Sequence, residues 1–221
     1  MFRGAIFDMD GTLTLSEQLH HKAFATVFKG YGVDFTLEDE VRRFAGAGSR
    51  VIFSSIFSER GLKVSDEELE KCIAKKKELY TKIVQETEIE VVPGVKDFVK
   101  KLHERGVKKI IATGNSNFDA VRFILQKVGL IEYFPNIVSV SEVAHGKPFP
   151  DVFIEAARRL GLSNDECVVF EDAVNGVTAA KAAGIRCIAL ETTTKREDLL
   201  AAGASLVVKD YSEISDKILY A

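Results

Sequence analysis

The sequence predicts an α/β protein in which a doubly wound parallel sheet is interrupted, after its first strand, by an all-helical insertion. Three observations carry this expectation. Short apolar runs alternate with helical patterns through the second half of the chain. Residues from about 15 to 88 carry only helical patterns. The 221 residues are 46% hydrophobic and 29% charged, an ordinary globular composition with enough chain to bury a sizeable core.

"GAIFD" (4–8) is the first strand candidate, short and apolar enough to be buried on both faces. Four helical segments follow: "SEQLHHKAFATVFKGYG", "LEDEVRRFA", "SRVIFSSIFSERG" and "SDEELEKCIAKKKELYTKIVQ". In the last, Leu69, Ile73, Leu79, Tyr80 and Ile83 form an apolar stripe, and Ser65 with Glu68 offers a capping box. Lys75, Lys76 and Lys77 read as its solvated face. "EIEVVPG" then returns the chain to the core near Pro93.

Strand candidates resume at 108–113, 136–140, 167–172, 186–190 and 205–208. Helical patterns near 94–105, 118–128, 150–160, 174–183 and 195–202 alternate with them. Strict alternation implies parallel strands joined by crossover helices, and such sheets carry their sites at the carboxyl ends of the strands. The expected division is core 1–14, helical insertion 15–88 and core 89–221.

A net charge of −3 gives no bulk attraction to nucleic acid or anionic membrane. Cys72, Cys167 and Cys187 are odd in number and widely spaced, which suits core residues in a reducing compartment. No run approaches membrane-spanning length, and no apolar targeting segment precedes "RGAIFD". The expectation is a soluble, cytoplasmic protein with no nucleic-acid or membrane partner. Oligomeric state is not legible.

"AIFDMDGTL" (5–13) places two acids where the first strand runs out. Residues two apart on a strand share a face, so Asp8 and Asp10 start on the same side, and Gly11 lets the backbone turn away. Two like charges this close repel, and a divalent cation is the usual remedy. Oxygen ligands with room for water and phosphate suit magnesium. One carboxylate can attack phosphorus while a second handles protons. An Asp-rich turn ending a strand would look the same in isolation.

Three further stretches bear on the choice. "IIATGNSN" sets Thr113, Gly114 and Asn115 between a strand and a helix, where a hydroxyl and free amides make an anion site. "AHGKPFPD" holds Lys147 between Gly146 and Pro148, able to aim an ammonium group inward. "CVVFEDAVNG" puts Glu171 and Asp172 at another strand end, where they could complete a metal site or cap a helix. Singly each has an ordinary structural reading. Together they supply the parts of magnesium-assisted phosphoryl transfer.

In "DMDGT", "TGN", "GKPFPD" and "FEDAVNG", in that order, the sequence resembles the haloacid dehalogenase superfamily of phosphohydrolases. It looks closest to the branch containing β-phosphoglucomutase and small sugar-phosphate or phosphoglycolate phosphatases. The resemblance covers essentially the whole chain and implies a Rossmann-like core with an alpha-helical cap. It implies that Asp8 is the nucleophile and Asp10 the acid/base, with Thr113 and Lys147 on the phosphoryl group. It also implies magnesium held by Asp8, the Asp10 carbonyl and Asp172, with Glu171 direct or through water. From the mutase, His20 and Arg50 are the matches for residues holding a sugar phosphate, with His21 beside them. Two departures concern subtype: Leu15 stands where many relatives carry an acid, and "FAGAGSR" is longer than its mutase counterpart. The expected activity is a phosphatase acting on a small phosphorylated metabolite, a sugar phosphate by preference. A β-phosphoglucomutase-type mutase and a non-catalytic phosphometabolite-binding protein are the alternatives.

Overall fold

The computed structural model describes residues 2–44 and 47–215. Strand β1 (Gly4–Phe7) is buried at every position, as befits the interior of a parallel sheet. It pairs with β2 (Lys108–Thr113) on one side and β4 (Cys167–Glu171) on the other, both in parallel. β3 (Ile137–Ser139) extends the sheet beyond β2, while β5 (Arg186–Leu190) and β6 (Leu206–Val208) extend it beyond β4. The spatial order is β3-β2-β1-β4-β5-β6, so strand order reverses between β1 and β4. In open α/β sheets, ligands bind in the crevice at such a reversal, outside the carboxyl ends of the strands.

The predicted strands are all present, with small shifts at their ends. β3 stops at Ser139 instead of running to 140. The Ser139 hydroxyl accepts the Ser141 amide and Glu142 accepts the Ser139 amide, so the chain turns there into a short 3-10 segment.

The insertion comprises α1 (Glu17–Lys29), α2 (Leu37–Asp39), α3 (Ser49–Glu59) and α4 (Asp66–Glu86). Between them they bury an aromatic cluster, in which the Phe28 ring lies 4.8, 4.9 and 5.5 Å from those of Phe35, Phe53 and Phe57. The single helix expected over "LEDEVRRFA" is instead one α turn, capped by Thr36, followed by a π turn over Glu40–Phe44. That wider turn puts Glu40 and Phe44 together on the buried side. Ala45 and Gly46 of the following loop lie outside the described residues. At α4 the Ser65 hydroxyl accepts the Glu68 amide, but the Glu68 carboxylate takes the Tyr31 hydroxyl at 2.5 Å, so the expected box is half made.

The two connections between insertion and sheet run side by side. The Leu15 amide donates to the Glu90 carbonyl at 2.9 Å, and the Val92 amide to the Leu13 carbonyl at 3.1 Å. Tyr80 and Val84 of α4 pack into the apolar layer of the core, so this helix is shared between both parts.

The remaining helices, α5 (Val95–Glu104), α6 (Phe118–Lys127), α7 (Asp151–Leu160), α8 (Val174–Ala182) and α9 (Arg196–Ala202), cover the two faces of the sheet. On one face Phe7 stacks on Phe170 at 4.7 Å and meets Phe134 edge-on at 5.5 Å. On the other, Ile6, Ile110 and Val169 pack under α7 and α8. Cys72, Cys167 and Cys187 are buried and free. Among the described residues no helix is long and apolar enough to cross a membrane. Because Phe7 sits at the centre of one aromatic layer, Phe7→Ala is expected to lower the unfolding free energy by about 3–5 kcal/mol in urea titrations. A loss under about 1 kcal/mol would mean that neighbouring rings refill the space.

Candidate active site

The carboxyl edge gathers residues far apart in sequence because three adjacent strands end there. Thr113 closes β2, Glu171 closes β4 with Asp172 following, and Asp8 extends β1 by donating its amide to the Phe170 carbonyl at 3.0 Å. Lys147 enters from the loop before α7, joined to Pro148 by a cis peptide bond. Its ammonium donates to Asp8 Oδ1 and, at 2.6 Å, to Glu171 Oε1. The other Glu171 oxygen accepts the amides of Asp172 and Ala173 at 2.8 and 2.9 Å. A Cβ at position 176 would stand 1.8 Å from the Glu171 carboxylate, so the first turn of α8 requires Gly176.

Asp172 is fixed as firmly. The Thr12 hydroxyl donates to its Oδ1 at 2.8 Å, and the Thr193 hydroxyl donates to its Oδ2. Gly11 adopts φ +79°, and a Cβ there would fall 2.0 Å from Asp172 Oδ2. Only glycine meets both demands.

Of three buried carboxylates, Asp8 and Glu171 thus share one ammonium, while Asp172 is held by hydroxyls alone. Burial pushes Asp8 up to about 7, against the pull of Lys147 and helped by Glu171 and Asp10. Asp172 is pushed well above the usual carboxylate range by burial and by the charges of Glu171 and Asp8. This unbalanced negative charge is what a hard divalent cation would relieve, and all the donors are oxygen. Among the described residues no three His, Cys, Asp or Glu side chains already form a closed metal cage. The donor set therefore fits a cation that also takes main-chain, water or phosphate oxygens, as magnesium does.

Asp10 stands under the insertion. The Ser16 hydroxyl donates to its Oδ1 at 2.5 Å, and His20 Nε2 lies 3.3 Å from the same oxygen. Burial works to raise this carboxyl group, yet His20 and Ser16 hold it below its usual range. The His20 ring stacks on Tyr80 at 4.0 Å and receives the Lys76 ammonium at Nδ1, 2.7 Å away. Burial and the Lys76 charge keep His20 below its ordinary value, against the pull of Asp10, so the ring is neutral; its Nε2, buried beside Asp10, makes no hydrogen bond.

Lys76 corrects the reading of 75–77 as a solvated face. It is 6% exposed, and it continues the buried stripe Leu69, Cys72, Lys76 and Tyr80. That spacing was the available signal. Lys75, by contrast, pairs with Glu78 on the surface.

The strand-to-helix turn after β2 forms as expected. The Thr113 hydroxyl accepts the Asn115 amide at 3.0 Å, and Asn115 Oδ1 accepts the Asn117 amide at 2.9 Å. Asn115 Nδ2 is buried without a partner, and Thr113, Gly114 and Asn115 all line the cavity that also holds Asp8, Asp10 and Asp172. A spare buried donor beside a hydroxyl suits an anion. Asn117 Nδ2 donates to Thr81 of α4 at 2.9 Å, tying this turn to the insertion.

Arg50 is not brought to the site. Its guanidinium pairs with Glu70 of α4 on the surface, both side chains being more than half exposed, while the neighbouring Ser49 lines the cavity. α3 begins at Ser49, and its register turns the next residue outward. His21 lies 3.3 Å from Glu40. Sequence reasoning missed two acids in the cavity wall, Glu17 and Glu40. Glu17 is pushed well up by burial and by Asp172 and Asp10, and its place in the first turn of α1 made it look like an ordinary helix starter.

The family model of a haloacid dehalogenase-like hydrolase matches residues 2–184. A phosphorylated carbohydrates phosphatase of Thermotoga maritima is 32% identical over 92% of this chain and 93% of its own length. Protein SUPPRESSOR OF QUENCHING 1, chloroplastic, of Arabidopsis thaliana is 36% identical over 95% of this chain, which spans only 20% of that protein. Among solved structures, CbbY (mutant D10N) of Rhodobacter sphaeroides in complex with xylulose-(1,5)bisphosphate superposes with a TM-score of 0.85 at 27% identity, covering 97% of each chain.

Burying Lys76 has a cost that can be measured. Burial pushes its ammonium down to about 8, with Glu40 and Asp10 opposing. Lys76→Met is expected to raise the unfolding free energy by on the order of 2 kcal/mol at pH 7 in urea titrations. The folded chain loses the proton near pH 8 and the unfolded chain near 10.5, so the gain is full below pH 8 and fades toward 10.5. A gain that stayed constant across that window would contradict this origin.

Proposed function

The chain belongs to the haloacid dehalogenase-like hydrolases and is a phosphatase of that family, and from this premise we propose that it hydrolyses a small sugar phosphate through an aspartyl-phosphate. The observation that carries the reading is the meeting of Asp8, Lys147, Glu171 and Asp172 at the reversal of strand order. The carbohydrate substrate is supported by the name of the Thermotoga relative and by the sugar bisphosphate bound in the CbbY structure.

In this reading Asp8 attacks phosphorus through Oδ2, since Lys147 engages Oδ1. The Thr113 hydroxyl, the Gly114 amide, the unpartnered Asn115 Nδ2 and Lys147 hold the phosphoryl oxygens in line. Asp10, held ionised in the resting site, takes up a proton as the phosphate ester enters and gives it to the leaving oxygen. An incoming phosphate dianion beside it raises its hold on that proton, and the product carboxylate then takes one from the attacking water. The neutral His20 ring, backed by Lys76, keeps Asp10 aimed at the cavity. Magnesium would be held by the Asp8 and Asp172 carboxylates and the Asp10 carbonyl, with Glu171 beside them, and would offset charge on the phosphoryl oxygens. Residues 15–88 act as a cap that closes over the sheet edge and excludes water. A cytoplasmic setting suits three free buried cysteines.

A phosphomutase would need a second phosphate site on the cap. Arg50, the residue expected to supply it, is engaged with Glu70, which favours hydrolysis. Asp8→Asn is expected to cut phosphate release by about a thousandfold or more while circular dichroism and thermal unfolding remain those of a folded protein. Chelation should silence the wild type, and added magnesium should restore it. Near wild-type turnover by the Asn variant would remove Asp8 from the nucleophile role.

A further inference from the structure

The cavity has a wall that the chemistry above leaves unused. On the cap side Phe24, Val41, Phe44 and Ile52 present an apolar surface, and Glu40 stands within it. Glu40 is 8% exposed, and its Oε2 has no hydrogen-bond partner. His21 Nδ1, 3.3 Å away, makes no hydrogen bond to it and is unpartnered as well. A buried carboxyl oxygen left without a partner beside a cavity invites one from a ligand.

The charges around this wall define the ligand. Asp10, Glu17 and Glu40 all face the cavity. Among the described residues the only lysine or arginine lining it is Lys76, already committed to His20 Nδ1. Arg42, Arg43 and Arg50 point elsewhere and pair with Glu38, Glu59 and Glu70. A leaving group bearing its own negative charge would therefore be buried beside Asp10 with a single ammonium near it, that of Lys76, which already faces Asp10 and Glu40. Burial also pushes Glu40 up to about 8, against Lys76 and with help from Asp10, so at neutral pH the group is mostly an uncharged acid that donates as well as accepts.

We propose that Glu40 selects the leaving group: its carboxyl binds a hydroxyl of an uncharged polyhydroxylated alcohol, and the wall around it rejects esters whose leaving group carries a second phosphate or a carboxylate. The inference rests on the phosphatase reading and narrows its substrate class to monophosphates of neutral sugars or polyols. It also separates this chain from the CbbY structure, whose bound ligand is a bisphosphate.

The test measures kcat/KM for fructose 6-phosphate, fructose 1,6-bisphosphate, phosphoglycolate and p-nitrophenyl phosphate, using wild type, Glu40→Ala and Glu40→Gln. Wild type is expected to favour fructose 6-phosphate over the bisphosphate and phosphoglycolate by about tenfold or more. In Glu40→Ala the ratio of fructose 6-phosphate to p-nitrophenyl phosphate falls about tenfold, chiefly through KM, because the aryl ester offers no hydroxyl. Glu40→Gln, whose amide also donates and accepts, keeps most of that ratio. Equal use of the bisphosphate by wild type overturns the proposal. So does a Glu40→Ala variant that loses rate on every ester in step, which is the mark of a merely structural role. Absence of phosphate release from all four esters overturns the phosphatase reading itself and the proposal with it.

Discussion

The Lys147 ammonium, held between Asp8 and Glu171 and almost wholly removed from solvent, is the interaction on which the rest of this structure depends. A buried ammonium is tolerable only with its charge met, and Asp8 and Glu171 meet it so fully that Lys147 stays protonated despite burial. The converse is that the carboxylates outnumber it. Asp8, Glu171 and Asp172 come from two neighbouring strand ends, and the fold spends Gly11 and Gly176 on keeping side chains out of their way. An edge that concentrates negative charge in this way is poorly adapted to being empty. It is well adapted to a cation and a phosphate arriving together, each offsetting what the other adds.

The cap holds a second buried ammonium in a different setting. Lys76 is a buried cation whose nearest hydrogen-bonding partner is a neutral histidine, and its ammonium lies 4.4 Å and 4.8 Å from the ring centres of Phe24 and Tyr80. Its proton is loosened where that of Lys147 is tightened. The line from Lys76 through His20 to Asp10 passes from the insertion to the sheet edge, so the surroundings of Asp10 depend on where the insertion sits. The paired segments at 13–15 and 90–92 carry the chain between the two parts. Lys127 of α6 donates to the carbonyls of Val84, Gln85 and Thr87 and so ties the end of α4 to the core. Any swing of the cap must work against these ties.

Much of this was legible in the amino-acid order, and for identifiable reasons. Strand alternation, the helical block and the acids at strand ends are local signals: periodicity for the elements, and a polar group directly after an apolar run for the site. Asp8, Asp10, Thr113, Glu171 and Asp172 could be singled out because each ends or follows a strand, and Lys147 because Gly146 and Pro148 frame it in a loop. Glu17, Glu40 and Lys76 could not be singled out in that way. They lie inside helices, and their burial arises only when the cap lies over the sheet. Glu40 owes its position to a π turn that no heptad-like count anticipates, and Arg50 misleads because one step of helical register turns it onto Glu70. Charged residues on helix faces read as solvated until the second surface is known.

The proposed chemistry requires a carboxylate oxygen of Asp8 to attack phosphorus and carry the phosphoryl group. The most direct measurement is acid quenching during turnover, followed by borohydride reduction and peptide mass spectrometry. The structure predicts reduction of one acyl-phosphate, converting the residue at position 8 to homoserine and leaving Asp10, Glu171 and Asp172 unchanged. A reduced residue at any other position, or phosphate turnover with no reducible acyl-phosphate, would contradict it.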